Sequence, residues 1–374
     1  MQRNATFDPP EYVRWEADPQ LIAEYRDRLD SDPDRAAIIR DMDERTLLDL
    51  YGGLLRFRLH DYALKRWVRR GVISKAWLGT GEEAVTVGNV HALDRERDIV
   101  APMIRNAGAC HEMGMRLEWL FAGYLGTTDS PSRGFDLHVG DLAKGVIQPI
   151  SHVGEMVPVC TGMGLAFRRR GEPRVALTWI GDGATKTTAV HEGLNLAGVL
   201  RVPAIFVLQN NQVALGTTLE QHQLDGFDGW AEMYGLHGLG ADGNNVLDVY
   251  AATRLAANHA RAGQGAVLLI VETFRMGGHA THDEAEARRT FPPALFDHWG
   301  RRDPIGLYEE YLVQYQDVER DRLAEIERGI ATEIDEAADR ALESRAARMP
   351  EGREAEWAGI SAGVRQPGLA ARLR

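Results

Sequence analysis

Asp182 and Asn211 carry the chemistry that the rest of this sequence must position. Residues 175–180 form an apolar run that ends in Gly181-Asp182-Gly183, and residues 204–208 form a second that ends in Gln209-Asn210-Asn211. The segment 185–200 between them has helical character. Short apolar runs with a polar or glycine-bearing end, separated by one amphipathic helix, read as a β-α-β unit. The two strands of such a unit are parallel, so both carboxyl ends open on one edge of the sheet. Asp182 and Asn211 are then neighbours in space. A carboxylate and an amide are hard oxygen donors, and magnesium prefers such donors while bridging a protein carboxylate to a phosphate. Gly181 and Gly183 let the backbone come close to a ligand. The following helix is expected to aim its amino end at the same place. The stretch therefore reads as a site for a divalent cation and a diphosphate.

The elements around it continue an alternating pattern. Leu47, Tyr51, Leu54, Leu55 and Tyr62 recur at helical spacing in residues 44–70, and Gly71 ends that helix. Gly81-Glu82-Glu83-Ala84 opens another, in which Glu83 is either a site acid or a carboxylate favoured by the helix dipole. A short strand within residues 98–108 delivers Arg105 to a loop. Residues 127–150 form a long segment rich in Gly, Ser, Asp and Pro, of the kind that is often functional when ordered. It contains His138, read either as a site residue or as a structural loop histidine. Residues 158–167 read as a helix whose small residues, Gly162, Gly164 and Ala166, permit a close contact with another subunit or within the chain. Residues 235–243, 246–262 and 266–272 read as strand, helix, strand. The fold class is α/β: a mostly parallel sheet with helices on both faces, plus helical N- and C-terminal extensions. We divide the chain into an arm at 1–44 with one short helix at 20–29, an α/β domain at 45–315, and a C-terminal helix and tail at 316–374. Within the last part, 316–348 is a charged docking helix and 349–374 is poorly ordered.

Bulk properties exclude several classes. The 374 residues carry a formal net charge of −12, which argues against a nucleic-acid partner. The two cysteines, Cys110 and Cys160, make no disulfide framework and suit a reducing compartment. The first residues lack the apolar core of a signal peptide, and no apolar run approaches the roughly 18 residues of a membrane span. The expected location is cytoplasmic.

The spacing from GDG through a helix and strand to NN resembles the thiamine-diphosphate motif. HEGLNLAGVLRVPAIFVLQNN and ETFRMGGHATHDE are similar to the α subunit of the decarboxylating first component of 2-oxo-acid dehydrogenase complexes, in order over residues 47–312. The resemblance implies the thiamine-diphosphate-binding fold, with thiamine diphosphate and Mg2+ as cofactors. It assigns cofactor contacts to Arg105, Ser151, Val153, Gly181, Asp182, Gly183, Ala184, Asn211 and His279. Metal ligands are Asp182, Asn211 and the backbone carbonyl of Val213. His279 is the catalytic candidate, its near-neutral pKa suiting proton transfer. His282 and Asp283 stand where the family has a serine and an aspartate, and Arg289 matches a loop arginine. Other positions also depart from the family: Ile104 replaces a tyrosine, Val213 an aromatic residue, and Ala280 a serine that is phosphorylated in some relatives. The implied activity is oxidative decarboxylation of a 2-oxo acid with acyl transfer to a lipoyl domain of the acyltransferase component. Pyruvate is favoured as substrate; a branched-chain (2-oxoisovalerate) dehydrogenase, an acetoin dehydrogenase and a non-catalytic scaffold are the alternatives. The carboxylate that activates the cofactor belongs to a β subunit in related enzymes, so a partner is expected, as two α and two β chains.

Overall fold

The computed structural model describes residues 1–347 and 349. Five strands build the central sheet: β1 (Ile99–Ala101), β2 (Ala176–Gly181), β3 (Ala204–Asn210), β6 (His237–Asp242) and β7 (Val267–Glu272). Between β3 and β6 lies a small antiparallel hairpin, β4 (Val213–Ala214) with β5 (Thr217–Thr218). All pairs in the central sheet are parallel, in the order β1-β2-β3-β7-β6.

The apolar runs sort onto two faces with period two. Leu177, Trp179, Ile205, Val207, Leu269 and Val271 join one core cluster with Val249 and Ala252 of the helix Val246–Arg261. Ile180, Phe206, Leu208 and Leu268 face the other way, onto Val190 and Leu194 of the helix Thr188–Leu200 and Val157 of the helix Met156–Arg170. Both faces are therefore covered, which is why the strands read as continuous apolar runs. The helix after β2 and the helix after β6 lie on opposite faces. The strand order thus reverses between β3 and β7, and their carboxyl ends frame the crevice where ligands bind in such sheets.

A third cluster is mostly helical. It joins the helix Glu44–Arg69 to the helices Pro304–Tyr315 and Arg320–Ala347. Val318, Leu323, Ile330, Ile334 and Ala338 are its buried contribution from the C-terminal segment, so the charged helix is docked. The tail expected to be poorly ordered lies, apart from residue 349, outside the described residues.

Residues 1–44 differ from the expected arm. They form three helices, Pro10–Val13, Pro19–Asp30 and Pro33–Arg40. Pro10, Pro19 and Pro33 start these helices, because the first helical turn needs no N–H partner and already has the φ that proline imposes. Asp18 and Asp32 cap the second and third by accepting backbone N–H groups. The segment is bound to the sheet domain by the Arg35–Asp248 ion pair at 2.5 Å and by Asn245 Nδ2, which donates to the Tyr25 carbonyl at 3.0 Å. The small residues of the helix Met156–Arg170 serve the chain itself at one position: a Cβ on Gly164 would come within 3.0 Å of Val202. No helix among the described residues is long and apolar enough to cross a membrane.

Candidate active site

The tip of β2 carries Asp182 and the tip of β3 carries Asn211, in adjacent parallel strands as the spacing requires. Both are buried, at 2 % and 3 % exposure. They line one cavity of about 410 Å³ together with Arg105, His138, Ser151, Val153, Gly181, Gly183, Ala184, Val213 and His279. The segments that converge on this space are thus the same ones the sequence singles out. A larger concavity, about 910 Å³, lies at the β6 edge of the sheet and holds none of the motif residues.

Each donor has one satisfied and one orphaned oxygen or nitrogen. Asp182 Oδ1 accepts the Gly183 N–H at 2.8 Å, and Asn211 Nδ2 donates to Glu82 Oε1 at 2.8 Å. Asp182 Oδ2 and Asn211 Oδ1 are buried with no partner among the described residues. An unpaired buried oxygen costs free energy, and a cation held between the two would remove that cost for both. Burial also raises the Asp182 pKa, against the Gly183 N–H and nearby His222, which lower it. The glycines act differently from one another. A Cβ on Gly181 would meet only Met103 Sδ, at 3.9 Å, so that position is open to the cavity. A Cβ on Gly183 would stand 2.5 Å from Ala214 Cβ, so glycine there admits the hairpin β4–β5.

The helix after Asp182 begins later than its sequence indicates. Residues Asp182–Lys186 form a 3-10 turn, Thr187 is extended, and the α-helix starts at Thr188. The Thr185 and Thr187 hydroxyls donate to the carbonyls of Asp182 and Ala184, at 2.5 and 2.9 Å, a local bonding that competes with a regular helical turn. The expected helix amino terminus is therefore set back from the cavity, and a single 3-10 turn takes its place.

Glu82, fully buried and outside the cavity lining, organises the site from behind its donors, and nothing in its local sequence marks it. Its carboxylate accepts from Arg105 Nη1 at 3.3 Å, from Asn211 and from Gln209. By occupying the Asn211 amide, Glu82 leaves the Asn211 oxygen as the free donor atom. Its neighbour Glu83 is turned away: it binds the buried Arg58 and accepts the Gly81 N–H at 2.9 Å. Of the two roles open to Glu83, the structure shows a buried ion pair at the helix start and no place in the cavity lining.

Arg105 sits on the 3-10 turn Ile104–Asn106 and is 6 % exposed, which excludes a surface role. Its Nη2 lies 3.3 Å from His279 Nδ1 and 3.2 Å from the His279 carbonyl. A guanidinium only donates, so Nδ1 must accept, and the neutral ring carries its proton on Nε2. The near-neutral pKa expected for His279 does not hold. Burial, with the charges of Arg105 and Arg275, pushes it down to about 4. Nitrogen-15 histidine shifts of the cofactor-free protein should give the Nε2–H tautomer and a midpoint near 4; a midpoint above 6 would contradict the arrangement. The linkage sign follows: a depressed histidine pKa contributes stability that is present above about 6.5 and is lost as pH falls toward about 4.

His138 also faces the cavity. Its Nδ1 is 2.8 Å from Asp136 Oδ1, so Nδ1 donates and Nε2 is the accepting nitrogen of the neutral ring. Asp283 clamps the loop that carries His279 by accepting the N–H groups of His279 and Ala280, at 3.0 and 2.7 Å. His282 and Arg289 are exposed and do not line the cavity. Arg275, to which the motifs give no role, is 2 % exposed and donates to the carbonyls of Leu215 and Val213, at 2.9 and 3.4 Å. It has no carboxylate partner among the described residues, and burial with the neighbouring Arg105 lowers its pKa to about 10.

A family model described as "Dehydrogenase E1 component" matches residues 54–349. The chain belongs to the dehydrogenase E1 component family. This family is thiamine-diphosphate-dependent. Among its similar proteins is the mitochondrial 2-oxoisovalerate dehydrogenase subunit alpha of Caenorhabditis elegans, 31 % identical over 279 residues, covering 73 % of this chain and 64 % of the relative. The human protein of the same name is 31 % identical, covering 71 % and 60 %. The Bacillus subtilis 2-oxoisovalerate dehydrogenase subunit alpha is 29 % identical over 302 residues, covering 79 % and 91 %. The chain thus spans less than two thirds of the animal relatives' length and most of the bacterial one.

Within this E1 framework Glu82 invites a direct test. In Glu82→Gln the new amide would meet the Arg105 guanidinium, donor against donor. Thiamine-diphosphate affinity, measured by calorimetry, should fall by about 10- to 100-fold, the usual cost of losing a carboxylate that orients ligating groups.

Proposed function

We propose that this chain is the α subunit of a 2-oxo-acid dehydrogenase first component, acting on a branched-chain 2-oxo acid. The observation that carries the reading is the pair of orphaned oxygens, Asp182 Oδ2 and Asn211 Oδ1, in one cavity with Arg105 and His279. Asp182 and Asn211 would hold a divalent cation, with the Val213 carbonyl as a third oxygen, and the cation would hold the diphosphate. Mg2+ suits an oxygen donor set. Arg105 and Arg275 add fixed positive charge for the anion, worth more in a buried site than in water. Gly181 leaves room for the diphosphate to approach the backbone.

When bound, thiamine diphosphate supplies the carbon nucleophile and the electron sink that 2-oxo-acid decarboxylation requires. The chain's own residues bind, orient and move protons. His279 presents Nε2–H and can donate to an oxygen of the substrate. His138 presents an accepting Nε2. The two rings thus offer one donor and one acceptor on the same space, an arrangement suited to general acid–base work. Ile104, Ile150, Val153 and Met156 make part of the wall apolar, which suits a branched aliphatic substituent. The similar proteins named for 2-oxoisovalerate support the same substrate class, and nothing among them supports the expected preference for pyruvate.

The proposal includes a β subunit, most simply as two α and two β chains, a lipoyl-domain acceptor and a cytoplasmic location. Cys110 and Cys160, both free and buried, accord with a reducing compartment. The test is to co-purify the chain with its β partner and assay a panel of 2-oxo acids with thiamine diphosphate and Mg2+. Branched-chain 2-oxo acids should give the highest kcat/KM, and the isolated chain should not turn over. Robust turnover by the isolated chain, or a clear preference for pyruvate, would reject the corresponding part of the reading.

A further inference from the structure

We propose that His222 is a nitrogen ligand of the divalent cation, so that this site favours manganese, cobalt or a similar transition-metal ion over magnesium. The inference rests on the reading of Asp182 and Asn211 as cation ligands. Nothing in the motifs points to His222, which ends the short helix Leu219–His222 beyond the hairpin β4–β5.

Three observations place it. The side chain is 11 % exposed, and both ring nitrogens are buried without a partner among the described residues. Its Nε2 lies 3.7 Å from Asp182 Oδ2, itself without a hydrogen-bond partner. The segment that carries it is tied to the site at one end and capped by its own residues at the other. Lys186, from the 3-10 turn that begins with Asp182, donates to Gln223, and the Gln221 amide oxygen accepts the Thr218 N–H at 2.9 Å.

One ion bonded at about 2.1 Å to both a nitrogen and an oxygen requires them to lie within about 4.2 Å of each other. Asp182 and His222 meet that limit, with Asn211 Oδ1 as the third orphaned donor. The donor set then differs from the one that the motif alone implies. Carboxylate, amide and carbonyl oxygens are hard and suit Mg2+, whereas imidazole binds Mn2+, Co2+, Ni2+ and Zn2+ more strongly than Mg2+. A buried imidazole with no hydrogen-bond partner adds such a ligand without first giving up another bond.

The experiment uses the chain with its β partner, loaded with thiamine diphosphate and Mn2+. Pulsed electron spin resonance should detect a directly bound nitrogen. That coupling should change when histidine alone is labelled with nitrogen-15, and it should vanish in His222→Gln. By calorimetry, the ratio of Mn2+ to Mg2+ affinity should fall by about tenfold or more in the same variant. Bound Mn2+ without histidine nitrogen coupling would overturn the ligand assignment and leave the cation site standing. An equal loss of both metals would also overturn it, making His222 a positioning residue for Asp182. A protein that binds neither metal would overturn the cation site itself. The resonance measurement on the unaltered protein needs no variant, so a misfolded His222→Gln cannot obscure the result.

Discussion

Asp182→Ala will release the cofactor while leaving the empty protein as stable as before or more so. The two halves of this result have one cause. Asp182 is buried with one carboxylate oxygen unpartnered, and burial raises its pKa. Keeping a lone charge there is costly without a counter-ion. The cofactor-free variant loses that cost, so its melting temperature should hold or rise. In the presence of ligand the sign reverses. The cation loses its only carboxylate among the motif ligands, and the diphosphate loses its bridge to the sheet. Removing such a group should exceed the roughly 10- to 100-fold effect of disturbing an outer neighbour, so thiamine-diphosphate affinity should fall by more than about 100-fold. Ligand stabilisation scales with the logarithm of saturation, and the melting shift on adding cofactor and metal should largely disappear. Asp182→Asn keeps an oxygen without the charge and should fall between. A variant that is destabilised when empty but still binds normally would mean that Asp182 is a turn residue and that the cation lies elsewhere.

The legibility of this site follows from how local each signal is. The β2 and β3 runs and the residues at their tips are contiguous in sequence, so their geometry follows from strand period and the parallel rule. The Asp182–Asn211 juxtaposition is therefore visible in the residue pattern alone. Glu82 is not, because its partners Arg105, Gln209 and Asn211 come from separate elements that only the folded sheet assembles. The His279 pKa fails for the same reason: the burial that chiefly depresses it, and the charge of Arg105, 174 positions away, that adds to it, arise only in the folded chain. The later start of the helix Thr188–Leu200 is a local effect, but a subtle one, set by threonine hydroxyls that bond their own turn. Pro10, Pro19 and Pro33 are ambiguous in sequence because proline both breaks a helix and starts one, and only the position relative to the cap distinguishes the two. The branched-chain substrate we propose has no local signature at all, since the cavity wall draws on residues from several loops.

Arg58→Met should be strongly destabilising, and its defect should be relieved by acid. The Arg58 side chain is fully buried and serves three carboxylates whose side chains are equally buried. Glu83 accepts from Nε, Asp303 from Nη2 at 3.0 Å and Asp8 from Nη1 at 3.4 Å. The Tyr12 ring covers the guanidinium at 4.8 Å. Methionine fills most of the volume but strands the acids. Removing one partner of a buried ion pair costs about 3–5 kcal/mol, and among the described residues only Asp303 of the three retains a second cation, Arg3. The pH dependence separates this from a packing defect. Burial already raises the Glu83 pKa, with Arg58 the main opposing influence. Without Arg58 it rises further, so the folded protein holds a proton that the unfolded chain releases above its ordinary carboxylate pKa. Stability is then lost as pH rises through the window between the two values and is regained on acidification. Asp303 in the unaltered protein behaves in the opposite sense: despite burial, Arg3 and Arg58 hold its pKa low, so its contribution is lost as pH falls. Thermal unfolding from pH 5 to pH 8 should show a gap between the two proteins that widens toward pH 8. A gap that is constant with pH would mean that Arg58 acts through its volume alone. Because Glu83 also accepts the Gly81 N–H, the same variant should loosen the turn that presents Glu82, so cofactor affinity should weaken even where the fold survives.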